Sequence, residues 1–123
     1  MTDPRRQLGA LGEQLASDHL SRLGFQILER NARMRTGELD IVAADDRTIV
    51  FCEVKTRRFG PDGGMALEAV RPHKRRQVRR MAFSWLRERT EHPYARDLRF
   101  DAIGVTFDLN GRLVSIEHVE GAF

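Results

Sequence analysis

Apolar residues recur along this chain with two periods, one helical and one alternating. Leucines recur at helical spacing up to Gly24, and a second helical pattern runs from Pro72 to about Thr90. Short apolar segments bounded by turn residues predict five strands, at 25–30, 38–44, 49–55, 98–107 and 113–119. The predicted order of elements is therefore α-β-β-β-α-β-β.

The second and third predicted strands are apolar on both faces, because apolar side chains fill both alternating sets of positions. Such strands need cover on both faces, which predicts an α/β sandwich with the two helices on the sheet. A chain of 123 residues makes one ordinary domain, so we expect a single domain over residues 1–123. Connections are predicted at 31–37 and 56–64, with one helical turn at 65–70.

Charged residues interrupt these two apolar strands at matched positions. A turn at 45–48 that pairs Ala44 with Ile49 would, in the same register, place Asp40 opposite Glu53 and Glu38 opposite Lys55. Alternation along each strand then puts these four charged side chains on one face of the sheet.

Two carboxylates that face each other across a sheet repel, and a divalent cation removes that conflict. Mg²⁺ is typically held by one or two carboxylates, with water and substrate phosphate completing its shell. Lys55 would position an attacking water or stabilise developing charge, so the set fits metal-assisted phosphodiester hydrolysis. The alternative is a structural ion-pair cluster in which Lys55 neutralises Glu53. The apolar surroundings favour a site, since ion pairs there rarely stabilise more than hydrophobic packing does.

Other charged residues each have a functional and a structural interpretation. The segment 71–80 is strongly basic, and its core-facing stripe turns basic at Arg71, Lys74 and Arg75, which predicts phosphate contacts at a cleft edge. A solvated helix face is the alternative. Arg57 and Arg58 precede a glycine-rich stretch and are either substrate-binding residues or part of an exposed connection.

Composition excludes several other classes of protein. No run of about 18 apolar residues is present, so we expect no membrane span. The single cysteine, Cys52, cannot form an internal disulfide and fits a reducing, cytoplasmic compartment.

Several motifs together resemble the YraN-like family of uncharacterised bacterial proteins, which belongs to the PD-(D/E)xK nuclease superfamily and is similar to archaeal Holliday-junction resolvases. The resemblance covers nearly the whole chain. It rests on Gly9-Ala10-Leu11-Gly12-Glu13, Gly24-Phe25, Arg30-Asn31, Gly37-Glu38-Leu39-Asp40-Ile41-Val42-Ala43, Phe51-Cys52-Glu53-Val54-Lys55-Thr56-Arg57 and Arg99-Phe100-Asp101-Ala102-Ile103.

The resemblance implies a restriction-endonuclease-like fold and a role for each matching residue. It makes Asp40 and Glu53 metal ligands, Lys55 the catalytic lysine and Glu13 an additional acid on the first helix. By helical period alone, Glu13 lies at the boundary of the buried face and could equally be a solvated residue. Leu39 stands where the superfamily name has proline, so that part of the motif is obeyed only loosely.

The expected function is that of an endonuclease dependent on Mg²⁺ or Mn²⁺ that acts on nucleic acid; DNA is expected ahead of RNA, although the sequence does not choose between them. Preference for branched or damaged DNA, and a homodimer, are implied by the family analogy alone. Glu38 is expected to be either a further acid at the metal or a structural partner of Lys55, and Asp101 to be structural. The alternatives are a non-catalytic nucleic-acid-binding module that needs a partner protein, and a structural adaptor.

Overall fold

The computed structural model describes residues 3–59 and 72–123, apart from the side chains of Arg5 and of residues 72–74. The predicted order of elements is confirmed. The helical turn predicted at 65–70 lies outside the described residues. The elements are α1 (Pro4–Arg22), β1 (Gln26–Met34), β2 (Gly37–Ala44), β3 (Thr48–Arg58), α2 (Pro72–Glu88), β4 (Asp97–Phe107) and β5 (Leu113–Val119).

The strands form one five-stranded sheet in the order β1-β2-β3-β4-β5. Neighbouring strands are antiparallel except β3 and β4, which are parallel. A parallel pair needs a long crossover connection, and the connection between β3 and β4 contains α2. The sheet is therefore mixed, and the α/β fold class is confirmed.

Both faces of the sheet are covered by apolar packing, as the doubly apolar strands predict. On one face Ala16 and Leu20 of α1 pack with Ile41, Val50 and other sheet residues. On the other face α2 supplies the covering side chains, which are Val78, Met81, Ala82 and Trp85. We call these the α1 face and the α2 face. Burial of this kind stabilises by about 25 cal/mol per Å² of apolar surface.

Two predicted connections are partly wrong, because strands extend into them. β1 continues to Met34 and pairs with β2 through Arg33–Glu38, and β3 continues to Arg58, where it pairs with Phe107 of β4. These extensions are polar, so their local composition favours a loop. Pairing with a neighbouring strand of the sheet satisfies their backbone groups and overrides that preference.

The helices end close to the predicted positions. α1 ends at Arg22, and Gly24 follows with a φ of 99°, the left-handed conformation that commonly closes a helix. Within the described ranges, no helix is long and apolar enough to cross a membrane.

Candidate metal centre at Asp40

Asp40 lies at the point where β2 and β3 stop pairing. The predicted register is correct from Ala44–Ile49 to Ile41–Cys52, but the ladder ends there. The expected pairings of Asp40 with Glu53 and of Glu38 with Lys55 are therefore not formed. Beyond the last pair, Val54 N donates to Asp40 Oδ2 at 2.8 Å. A side-chain oxygen thus takes the place of a main-chain acceptor.

Strict alternation also fails around Asp40, because the two apolar residues that flank it should share a face and do not. Leu39 packs on the α2 face, whereas Ile41 packs on the α1 face. On the neighbouring strand, Asn31 has a φ of 51°, between the pairs Arg30–Ile41 and Ala32–Leu39. Asparagine is one of the few residues that tolerate this left-handed conformation.

The charges of acidic residues from three elements act on the Asp40 carboxyl. Burial, and then the negative charge of Glu53, raise the pKa of Asp40 to about 7, against 3.8 for an ordinary aspartate. The hydrogen bond from Val54 lowers this pKa, whereas the charges of Glu13 and Glu38 raise it further. The structure therefore brings the four predicted acids into one electrostatic cluster, which we call the Asp40 cluster.

Glu13 reaches this cluster because α1 lies unusually close to β3. A Cβ built at Gly12 would overlap the hydroxyl group of Thr56, so only glycine permits this approach. Glu13, the next residue, is half-buried, in agreement with its predicted position at the edge of the buried face. The Gly12–Thr56 contact thus positions the acid that the sequence resemblance singles out.

The remaining charged side chains near these strands are more exposed. Glu38 forms an ion pair with Arg33 of β1, at 3.9 Å between Arg33 Nε and Glu38 Oε2, and the Arg33 side chain is 87% exposed. A pair in that setting contributes little to stability. Lys55 is exposed on β3, two residues beyond Glu53, so strand alternation puts both side chains on the same side.

The chemistry of the Asp40 cluster suits a hard divalent cation. Carboxylate oxygens are the ligands that Mg²⁺ and Mn²⁺ prefer, and Mg²⁺ needs only one or two of them. No group of three or more His, Cys, Asp or Glu side chains placed to hold a metal ion occurs in residues 3–59 and 72–123. A cation held by Asp40 and Glu53 would therefore need water and phosphate to complete its shell.

The predicted phosphate-binding arginines occupy two regions. Arg57 and Arg58 end β3 and line a cavity between that strand and the beginning of α1. Arg75 is exposed near the beginning of α2, the helix on the opposite face from α1. Arg71 and the side chain of Lys74 lie outside the described residues.

Asp101 of β4 forms a second polar cluster, and its side chain is fully buried. Arg99 donates to it, with Nη2 2.9 Å from Oδ2, and Gly121 N donates to Oδ1 at 3.1 Å. His118 Nε2 lies 2.7 Å from Oδ2, and His118 Nδ1 lies 3.0 Å from His19 Nε2. Sequence reasoning gave no role to these histidines, because no metal-ligand spacing links them.

The sheet, the two covering helices and the Asp40 cluster define a mixed α/β protein with an acidic site at the separation of two central strands. The chain matches the model of Uncharacterised protein family UPF0102 over residues 12–105. The protein belongs to this family, which confirms the family resemblance found in the sequence.

Proteins of the same family align with almost the entire chain. A UPF0102 protein of Mycolicibacterium vanbaalenii is 46% identical over 120 residues, which cover 98% of this chain and 96% of the relative. A UPF0102 protein of Frankia casuarinae is 48% identical over 117 residues, covering 94% and 95% respectively. One from Geobacter metallireducens is 46% identical over 118 residues, covering 96% and 93%.

Proposed function

We propose that this protein is a metal-dependent endonuclease that hydrolyses phosphodiester bonds in DNA. The observation that supports the proposal is that the charges of Glu53 and Glu13, from β3 and α1, act on the half-buried carboxyl of Asp40 where the β2–β3 ladder ends. Like charges gathered at a half-buried position destabilise a fold unless something neutralises them. A divalent cation neutralises the carboxylates, and the bound cation in turn attracts a ligand that carries phosphate.

Each residue of the cluster has a role in this proposal. Asp40 and Glu53 would hold Mg²⁺ or Mn²⁺, and the ion would polarise a phosphoryl oxygen and help to generate the nucleophile. Val54 N engages Asp40 Oδ2, which fixes the carboxylate and directs Oδ1 away from that bond. Glu13 would orient water at the ion. Lys55 would place its ammonium group near the attacked phosphate.

Cationic side chains at or near the surface support a nucleic-acid substrate. Arg58 and Arg75 are exposed, and Arg57 is half-buried. Contacts to phosphate position a protein on DNA without reading its sequence, and arginine binds phosphate with two parallel hydrogen bonds. We assign these residues to the DNA backbone, with Arg57 and Arg58 on the β3 side of the cluster.

The second candidate is a nucleic-acid-binding module without catalysis of its own, which needs a partner protein. One observation favours it: within the described parts of the chain, no three side chains of the ligating types form a metal-holding group. Both candidates predict DNA binding that weakens as salt rises. Only the nuclease predicts cleavage that depends on Asp40 and Glu53.

A cleavage assay on labelled linear, flapped and four-way-junction DNAs separates the two. Wild type, Glu53→Ala and the matched control Glu91→Ala, whose side chain is exposed, would be compared with Mg²⁺, with Mn²⁺ and with a chelator. The nuclease proposal expects metal-dependent cleavage by wild type and Glu91→Ala, and a loss of roughly a hundredfold or more in Glu53→Ala. DNA binding without cleavage under every condition would contradict it and favour the binding module.

A further inference from the structure

A cavity of about 670 Å³ lies between the beginning of α1 and the end of β3, and its lining residue Thr56 directly follows Lys55 in the chain. Pro4, Leu8 and Gly9 line it from α1, and Thr56, Arg57 and Arg58 line it from β3. This volume is within the range of small-molecule sites, which is about 300–1,000 Å³. The metal chemistry proposed above gives the cavity no role.

The cavity is next to the proposed metal centre along both elements. Gly9 precedes Glu13 by four residues of α1, which is about 6 Å along the helix axis. Arg57 follows Lys55 by two residues of β3, which is about 7 Å along the strand. Both displacements are comparable to one nucleotide step of an extended strand, so a chain with its scissile phosphate at Asp40 would place the neighbouring nucleotide at the cavity.

The lining combines the two kinds of surface that a nucleotide presents. Pro4 and Leu8 are apolar and suit the face of a base, whereas the guanidinium groups of Arg57 and Arg58 suit a phosphate. Asp3 also lines the cavity. Its carboxylate disfavours an isolated anion but accepts hydrogen bonds from base amino groups. The mixture favours a whole nucleotide over an inorganic anion.

We infer that the cavity binds an unpaired nucleotide adjacent to the phosphate that is cut. A base held in a protein cavity cannot remain paired and stacked in a duplex. The inference rests on the proposed nuclease function and narrows its substrate class. That class is DNA with a nucleotide already out of the helix, as at a branch, bulge or flap, because intact duplex must first spend unstacking energy.

Gly9 allows the cavity to be filled without disturbing the fold. A Cβ built at Gly9 meets no heavy atom within 4 Å, so a larger side chain there extends into open space. Replacing a glycine inside a helix also removes the conformational-entropy cost that glycine carries there. Gly9→Leu is therefore expected to fold at least as stably as wild type. Ala10→Leu is a matched control, because Ala10 is the next residue of α1 and is exposed.

The test is a binding measurement by fluorescence anisotropy, with Ca²⁺ replacing Mg²⁺ so that the DNA is not cut. Two probes of the same sequence are compared. One is an intact duplex, and the other is that duplex with a single extra unpaired nucleotide in one strand. We expect wild type and Ala10→Leu to bind the bulged duplex roughly tenfold more tightly than the intact one. Gly9→Leu should lose this preference and still bind the intact duplex.

Equal binding of the two duplexes by wild type, or an unchanged preference in Gly9→Leu, would overturn the inference even if the protein cleaves DNA. A preference that Gly9→Leu abolishes, in a protein that never cleaves, would support the cavity site while the catalytic proposal fails. Absence of any DNA binding would overturn both. A parallel thermal melt of Gly9→Leu, with an unfolding temperature at or above that of wild type, attributes any loss of preference to the filled cavity.

Discussion

Asp40 of β2 and Asp101 of β4 lie in the same sheet in opposite electrostatic surroundings. Asp101 is fully buried, and Arg99, His118 and the backbone of Gly121 all contact its two oxygens at 2.7–3.1 Å. Asp40 is half-buried and receives one backbone hydrogen bond, from Val54. Burial, followed by the negative charge of Glu53, raises the pKa of Asp40 to about 7.

The contrast shows how one residue type serves structure in one place and binding in another. A buried carboxylate with charged and hydrogen-bonded partners is compensated within the fold and has no need of a ligand. A carboxylate among other carboxylates keeps an unfavourable interaction that a cation relieves. Such local conflicts concentrate at functional sites. We therefore interpret the Asp101 cluster as structural and the Asp40 cluster as the candidate for chemistry.

The largest expected effect on stability is that of Asp101→Asn. The amide would leave Arg99 and His118 without their buried carboxylate, and removing one partner of a buried charged pair costs about 3 kcal/mol of unfolding free energy. Urea denaturation at neutral pH without divalent metal measures the change. Asp46→Asn, at an exposed position, is the control and should stay within about 0.5 kcal/mol of wild type. If Asp101→Asn changed the free energy of unfolding as little as Asp46→Asn does, the interpretation of the Asp101 cluster as structural would be contradicted.

Asp40→Asn is expected to act in the opposite direction and to stabilise the metal-free protein by about 2 kcal/mol at pH 8. The amide removes the repelled charge, and its oxygen can still accept from Val54 N. The same urea denaturation measures it. A loss of stability without metal would instead favour a structural ion-pair network around Asp40.

The effect of Asp40 on the free energy of unfolding must also depend on pH, and it must lower that free energy as pH rises. The pKa of Asp40 rises from 3.8 to about 7 on folding, so between those values the folded state holds a proton that the unfolded chain has released. The stability that this bound proton gives to the folded state is fully present below about pH 4, and it is lost as pH rises through 7. The difference between wild type and Asp40→Asn should therefore widen from pH 4 to pH 8.

The smallest expected effect concerns His19, at the end of the Asp101 cluster. Burial, followed by the charges of His118 and Arg22, lowers the pKa of His19 below its usual 6.5. The folded state then resists a proton that the unfolded chain accepts, so stability is lost as pH falls below about 6.5. His19→Gln should be less sensitive to acid than wild type in denaturation curves between pH 7 and pH 5. A difference between the two that stays constant with pH would contradict this account.

The fold was largely predictable from the sequence because its strongest patterns are local. The leucine repeat of α1 and the apolar segments of β2, β4 and β5 give nearly the observed bounds. The ends of β1 and β3 were not predictable, because polar residues there are held by pairing with another strand. Arg57 pairs with Thr106, whose position on β4 has no signal in the sequence around Arg57.

The electrostatic coupling of Asp40 with Glu53 was predictable from the sequence, but the local backbone geometry around Asp40 was not. Register counting from one turn brought Asp40 and Glu53 together. The end of the ladder, however, depends on a side-chain oxygen replacing a backbone acceptor, which no alternation rule contains. The link between His19 and His118 joins residues 99 positions apart, so only the folded chain reveals it.

The central claim, that the Asp40 cluster binds a divalent cation, is tested most directly by calorimetric titration of Mn²⁺ into wild type, Asp40→Asn and Asp46→Asn at pH 7. We expect wild type and Asp46→Asn to bind Mn²⁺ and to release protons, because Asp40 is partly protonated at this pH and must ionise to coordinate the metal. Asp40→Asn should show no binding heat. Absence of binding by wild type, or binding by Asp40→Asn as tight as that of wild type, would contradict the assignment.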